Sequence, residues 1–383
     1  MKALEMEARG QAIIPLNIGN PAAFGLEVPD IIQNKLKDSL TELGGYTHQL
    51  GNIKAREAVA TYATSGQIVG LTPQQIVIGN GVSELILMSM QALLNAGEEV
   101  LVPAPDYPLW TAAVGLAGGK AVHYRCDEKN GWQPDLDDIE RKISTKTRAL
   151  VIINPNNPTG AVYSRALLQE MIDLAREHEL IVLADEIYEK IIYSGEHVHA
   201  ASLTGDDVLC FTFSGLSKAY RACGWRAGWL VATGPLDAAS NLLEGLQLLA
   251  NMRMCANVPA QHAIQTALGG YQSIDEMVKP GGRFHDQLAL AYHLLNQIEG
   301  ISCEPAQGAL YLFPRLNNEL FDIDDDEEWA LGLLRSKKIL ISHGRGFNWP
   351  YPDHFRLVAL PEEAVLREAI GRIAEYCDET RIA

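Results

Sequence analysis

Between Gln75 and Val231 the chain alternates short apolar, β-branched runs with longer stretches of helical spacing, and this alternation restricts the fold more than any other feature of the sequence. The runs fall at residues 76–78, 100–102, 121–124, 150–153, 181–184, 209–213 and 229–231. Each is nearly continuously apolar, as strands buried on both faces are, and helices on both faces are what bury a parallel sheet. Between them, residues 83–94 and 165–178 repeat apolar side chains at helical spacing, and Ser164 stands where a helix cap belongs. The pattern predicts an α/β chain on a mainly parallel, seven-stranded sheet.

After Ser273 the character changes. A long helix is expected over 274–298, short strands near 309–313 and 355–359, and a last helix from Pro361, which together describe a smaller α+β domain. The acidic run from Asp322 to Glu328 contains Asp-x-Asp-x-Asp, but a calcium loop needs Gly at its sixth position and Glu at its twelfth, where Glu327 and Leu333 stand. It reads as the solvated start of a helix, where carboxylates complement the N-terminal dipole. No metal-ligand set is read from the sequence.

Several function classes drop out on charge and cysteine usage. With 31 Lys and Arg against 48 Asp and Glu the net charge is −17, so neither nucleic acid nor an anionic membrane is an expected partner. The six cysteines are scattered and form no Cys-x-x-Cys pair, which argues against a zinc ribbon and a disulfide framework. The first ten residues carry acidic side chains and lack the unbroken apolar stretch of a signal peptide, and no window approaches ~18 apolar residues, so a cytoplasmic, reducing location is expected.

The polar and Gly-rich segments that follow the strand-like runs sit where open α/β sheets collect ligands. Gly79-Asn80-Gly81-Val82-Ser83 suits either a phosphate held by the backbone N–H groups of a helix start or a plain tight turn. Asn154-Pro155-Asn156-Asn157-Pro158-Thr159-Gly160 is a rigid turn whose amides could meet a ligand oxygen, though two prolines suit an ordinary turn equally. Asp185 ends a strand two residues before Ile187-Tyr188, as a ligand carboxylate or as a helix cap. Ser217-Lys218 follows another strand, and Arg226 comes eight residues after Lys218. A lysine buried near another cation is deprotonated more easily and attacks a carbonyl, the requirement for a Schiff base; a lone surface lysine is the competing reading.

An amine nucleophile, a carboxylate, a phenol, an amide and a phosphate cradle with an added arginine are together what pyridoxal phosphate needs from a protein. On these motifs the chain, from about Leu16 to its end, resembles the fold-type-I, class I/II aminotransferases, and within them the bacterial glutamate–pyruvate (alanine) group. The resemblance implies a large cofactor-binding domain over residues 32–272 and a small domain made of 1–31 and 273–383. It implies that Lys218, in Ser214-Gly215-Leu216-Ser217-Lys218, carries the cofactor and shuttles the proton of the 1,3-shift. Asp185 would pair with the pyridine nitrogen, Tyr188 and Asn157 would hydrogen-bond the phenolic oxygen, and Tyr107 would stack on the ring. Gly81, Val82, Ser83 and Arg226 would bind the phosphate, joined by Tyr46 of the partner subunit in a homodimer with shared sites. Arg356, in His354-Phe355-Arg356, would hold the substrate carboxylate with Gly19 and Asn157, because a guanidinium fork matches a carboxylate.

Two departures from the family pattern stand out. The longer members carry roughly one or two more helical turns plus an arm before the segment that starts here. Arg221 replaces the small or apolar residue of the broad lysine signature, a feature familiar in the alanine-type subgroup.

The reaction implied is a ping-pong exchange, L-alanine plus 2-oxoglutarate giving pyruvate plus L-glutamate. No second arginine is assigned to the glutamate side chain; Gly346-Phe347-Asn348-Trp349-Pro350 suits either that pocket or plain aromatic packing. Three readings compete: an aminotransferase for valine or methionine, a β-lyase on the same scaffold, and a cofactor-sensing regulator. The last needs a DNA-binding domain for which the sequence shows neither spare length nor a basic helix-turn-helix.

Overall fold

In the computed structural model, which describes residues 2–382, the seven expected runs all become strands of one sheet. In chain order they are β1 (Ile76–Gly79), β2 (Glu99–Ala104), β3 (Lys120–Asp127), then β4 (Gln133–Pro134), β5 (Thr147–Ile153), β6 (Ile181–Asp185), β7 (Cys210–Gly215) and β8 (Gly228–Thr233). The sheet therefore has eight strands, not seven, in the order β1-β8-β7-β6-β5-β2-β3-β4. The extra one is a two-residue edge strand antiparallel to the end of β3, and Pro134, with no N–H to give, ends it. Strands β3, β2, β5, β6 and β7 run parallel, while β8 lies antiparallel between β7 and β1.

Side-chain alternation explains why these strands are apolar throughout. Ala149, Val151 and Ile153 of β5 pack in one core, against α2 (Val82–Leu93) and α3 (Leu109–Leu116), which follow α1 (Ile53–Ser65) in the chain. Leu150 and Ile152 point the other way, into a core with Leu168, Met171, Ile172 and Ala175 of α4 (Arg165–Glu177). The Ser164 hydroxyl caps α4 by accepting from the Leu167 N–H at 3.2 Å. On the far side of the sheet, Ile76, Ile78, Trp229 and Val231 meet α1 and α5 (Val258–Gly269).

The expected helix over 274–298 is two pieces: a turn at Ile274–Met277, then α6 (Arg283–Leu295). Pro280, Gly281 and Gly282 separate them; Gly281 takes φ +87°, and a β-carbon on Gly282 would run into the Glu276 carbonyl. Helix α7 (Asp326–Lys337) begins in the acidic run, with the Asp325 carboxylate accepting from the Glu327 and Glu328 N–H groups. The expected strands near 309–313 and 355–359 are β9 (Tyr311–Leu312) and β11 (Phe355–Val358), with β10 (Ser342–His343) on the other side of β11. A final helix, α8 (Glu363–Thr380), closes a separate apolar core with α6 and α7. No helix among the described residues is long and apolar enough to cross a membrane.

Candidate active site

Strands β1, β2, β5, β6 and β7 all release their chains at one edge of the sheet, and β8, running the other way, starts there. The loops at that edge enclose a cavity of about 190 Å³ whose wall includes Val82, Ser83, Tyr107, Asn157, Asp185, Tyr188, Lys218 and Arg226. A larger, more open cleft of about 990 Å³, beside Asp135 and Gln307, is walled by surface carboxylates and amides without a comparable amine–carboxylate–phenol group.

Lys218 lies three residues beyond the end of β7, and its Nζ donates to the Gly19 carbonyl at 2.8 Å. Gly19 also has no side chain to obstruct the Tyr311 hydroxyl, which occupies the place a β-carbon would take. Asp185, the last residue of β6, is buried, and its Oδ2 accepts from the Trp110 Nε1–H at 3.1 Å. Burial pushes its carboxyl up to about 6, against the opposing pull of that hydrogen bond. A carboxylate in such a place is stabilised by a cationic ligand atom, as a protonated pyridine nitrogen would be.

At the other end of the cavity no side chain caps the first turn of α2, so its N–H groups are free for an anion. Gly81 precedes it with φ +80°, and a β-carbon there would collide with the Arg226 guanidinium. That guanidinium is held by donation from Nη1 to the Cys223 carbonyl at 2.8 Å and from Nη2 to the Asn80 carbonyl at 3.3 Å. A helix start and a guanidinium facing one gap form a cradle that fits a phosphate.

The rigid turn after β5 uses its asparagines differently. Asn156 accepts from the Thr159 N–H and hydroxyl, Asn154 accepts from the Tyr163 N–H, and Asn157 is left facing the cavity. Its Oδ1 accepts from Arg356 Nη1 at 2.9 Å. Arg356, on β11, lies between the rings of Tyr311 and Phe347, 4.3 and 4.5 Å from their centres, and its other Nη donates to the Asn17 carbonyl. The guanidinium is buried, its Nε has no partner, and among the described residues no carboxylate pairs with it. A buried, uncompensated cation is costly and calls for an anionic ligand.

Tyr188 is buried with its hydroxyl 2.6 Å from that of Tyr311. Burial and the neighbouring phenol raise its pKa well above the usual tyrosine value, Arg356 opposing. Tyr107 is half-buried in the wall. Tyr46 stands apart: it is 79% exposed on the protomer surface and does not line the cavity. Arg221 points elsewhere too, donating to the Glu27 carbonyl and the Ser273 hydroxyl, while Trp349 packs against Trp132 and His354.

The residues that fit pyridoxal phosphate are thus Lys218 for its aldehyde, Asp185 for its ring nitrogen, Tyr188 and Asn157 for its phenolic oxygen, and the Gly81–Ser83 turn with Arg226 for its phosphate. Two contributors carry no local sequence signal. Tyr311 falls inside a run legible only as a strand, and Trp110 inside an apolar helix; their roles come from the packing that turns their polar atoms toward Tyr188 and Asp185.

Comparison with known proteins shows the family of the chain. The sequence profile described as "aminotransferase class I and II" matches residues 11–373. An alanine aminotransferase of Mycobacterium tuberculosis is 56% identical over 376 residues, 98% of this chain and 87% of its own length. A glutamate–pyruvate aminotransferase of Haemophilus influenzae is 54% identical over 380 residues, 99% of this chain and 94% of its own. A crystal structure of an aminotransferase from Escherichia coli superposes with a TM-score of 0.98 at 51% identity, covering 100% of this chain and 95% of that one.

Proposed function

The chain belongs to the class I and II aminotransferase family, and on that premise we infer that it is a pyridoxal-phosphate enzyme converting L-alanine and 2-oxoglutarate into pyruvate and L-glutamate by a ping-pong route. The carrying observation is the buried Arg356 guanidinium, without a carboxylate among the described residues, held against Asn157 and Tyr311 in the wall of a cavity that presents the Lys218 amine and the Asp185 carboxylate. The choice of alanine rests on the relatives named above.

The bound cofactor supplies an electron sink for the negative charge that develops at the substrate α-carbon. Asp185, as a carboxylate, keeps the ring nitrogen protonated. Trp110 fixes the orientation of that carboxylate through Oδ2. Arg356 binds the α-carboxylate of every amino and oxo acid in turn through its planar fork, and Asn157 fixes the plane of that fork. Lys218 Nζ would hold the cofactor's aldehyde and, as a free amine once substrate is bound, would move the proton between the substrate α-carbon and the cofactor within each half-reaction, in opposite directions in the two. Tyr188 and Asn157 would donate to the phenolic oxygen, and Tyr107 would cover the ring.

A homodimer is part of the same reading, with Tyr46 of the partner subunit completing the phosphate site. The exposure of Tyr46 together with Leu248, Met252 and Met254 on one protomer supports it. The division into a large domain of residues 32–272 and a small one of 1–31 with 273–383 is supported by the separate core around Leu16, Leu295, Phe355 and Ile373. Six free cysteines suit a cytoplasmic, reducing compartment.

The test mixes purified protein and cofactor with L-alanine and 2-oxoglutarate and follows pyruvate and glutamate together, with other amino donors in parallel. Equimolar products, fastest with alanine, are expected. Pyruvate and ammonia without glutamate from a donor with a β leaving group, such as L-serine or L-cysteine, would mean elimination, as in a β-lyase, and a faster donor such as valine or methionine would move the substrate and keep the mechanism.

A further inference from the structure

One residue past Asp185 the backbone aims the next carboxylate away from the cofactor cavity. Glu186 is buried, with Oε1 accepting the Ala200 N–H at 2.9 Å and Oε2 facing two imidazoles, 3.1 Å from His197 Nε2 and 2.5 Å from His199 Nδ1. Glu189, three residues on, has Oε1 accepting the Ser214 hydroxyl at 2.9 Å and Oε2 lying 3.7 Å from His199 Nδ1. One ligand atom from each of these four residues lies within 4.8 Å of all the others.

We propose that His197 Nε2, His199 Nδ1, Glu186 Oε2 and Glu189 Oε2 form a binding site for one divalent transition-metal ion of the zinc kind. Bonds of about 2.0–2.2 Å in a tetrahedron put ligand atoms roughly 3.3–3.6 Å apart. The 3.1 and 3.7 Å separations bracket that spacing, the 2.5 Å Glu186–His199 pair has to open by about 1 Å, and the remaining pairs, all within 4.8 Å, have to close by no more than about 1.5 Å.

Three further features favour a metal over a plain hydrogen-bonded cluster. Both carboxylates have their far oxygen anchored by a protein donor, so the near oxygens converge on the imidazoles, as the supporting contacts around metal ligands do. The far edge of the His199 ring rests on Gly66, where a β-carbon would come within 2.6 Å of Nε2, so Nδ1 is held toward the carboxylates. The charge also balances: two nearly buried carboxylates carry −2, which one divalent ion with neutral imidazoles offsets. Imidazole with carboxylate donors suits zinc, cobalt or nickel and disfavours calcium and magnesium. The ion would brace the Asp185–Glu189 segment from behind, on the side away from the cavity that Asp185 and Tyr188 line.

The test uses tag-free holoenzyme, stripped with a chelator, dialysed against Zn²⁺ or Co²⁺ and then freed of excess ion. One zinc per chain by elemental analysis is expected, with the visible absorption of tetrahedral cobalt in the Co²⁺ sample. His197→Gln and Glu189→Gln should each weaken retention by about tenfold or more and remove the cobalt absorption, while alanine turnover at saturating cofactor stays near wild type and reports intact folding. Wild-type protein that retains no ion, or variants that retain it undiminished, would overturn the site. Should His197→Gln not fold, the wild-type stoichiometry and Glu189→Gln decide.

Discussion

Arg356 Nη1 donates to Asn157 Oδ1 at 2.9 Å, joining strand β11 to the turn that follows β5 of the central sheet. In the proposed mechanism the contact couples the group that would bind the substrate carboxylate to the group that would face the cofactor's phenolic oxygen, so one guanidinium is oriented from the cofactor side. Lysine at this position keeps the charge but loses the planar fork and the stacking between Tyr311 and Phe347. Arg356→Lys is therefore expected to raise KM for alanine and for 2-oxoglutarate alike, by about 10- to 100-fold, the worth of one charged hydrogen bond. Steady-state kinetics with each substrate varied in turn checks it; a rise for only one would mean that the two acids bind their carboxylates at different places.

Lys218→Ala removes the only side-chain amine in the wall of the cavity. Transamination should fall by at least about 10²- to 10⁴-fold, the contribution of a positioned general acid–base alone, and the absorbance of the cofactor–lysine linkage should vanish from a protein whose circular dichroism is unchanged. Turnover retained in this variant would remove the mechanism given above.

Much of this was legible in the sequence because two kinds of signal coincide. Strands buried on both faces have to be apolar at every position, so all seven long runs stand out, and the chemistry-bearing residues stand immediately after them. The two-residue strand at Gln133–Pro134 has no such run to announce it. Helical periodicity over 274–298 outweighed the Pro280-Gly281-Gly282 break, although the break was written in the sequence. Tyr311 gains its part from register: β9 pairs antiparallel with β11, which brings its ring over Arg356 and its hydroxyl to Tyr188. His197 and His199 meet Glu186 and Glu189 only because of the path of the loop after β6, which no local pattern encodes.

Tyr311→Phe deletes the hydroxyl that stands 2.6 Å from that of Tyr188. With Tyr188 donating to the phenolic oxygen of the cofactor, the Tyr311 hydroxyl donates in turn to Tyr188 and strengthens that bond, since hydrogen bonds in a chain polarise one another. Its loss weakens the stabilisation of the deprotonated linkage, so the pH midpoint of the visible absorbance change should rise, by up to about one unit for a bond worth roughly 1 kcal/mol. A spectrophotometric pH titration reads it; a midpoint that stays put or falls would show that Tyr311 does not act through Tyr188.

Asp106 offers a test of burial by pH. It follows β2 beside Tyr107, is fully buried, and accepts from Asn348 Nδ2 at 2.7 Å and from the Thr111 hydroxyl at 2.8 Å, while Thr111 also meets His123 Nε2. Burial nevertheless pushes its carboxyl up to about 7. Below about pH 4 the group is protonated in the folded and the unfolded chain alike, and nothing is lost. As pH rises from 4 to 7 the unfolded chain ionises while the folded one keeps its proton, so this group lowers stability progressively, on the order of a few kcal/mol by pH 7, and no further above that. Asp106→Asn cannot titrate: it carries a constant cost for turning an amide NH₂ toward one of the two donors, but no slope. The difference in stability between wild type and variant, from urea melts across this range, should therefore move toward the variant as pH rises from 4 to 7 and then level off. Parallel curves would mean that the Asn348 and Thr111 hydrogen bonds hold the carboxyl near its usual pKa in spite of burial.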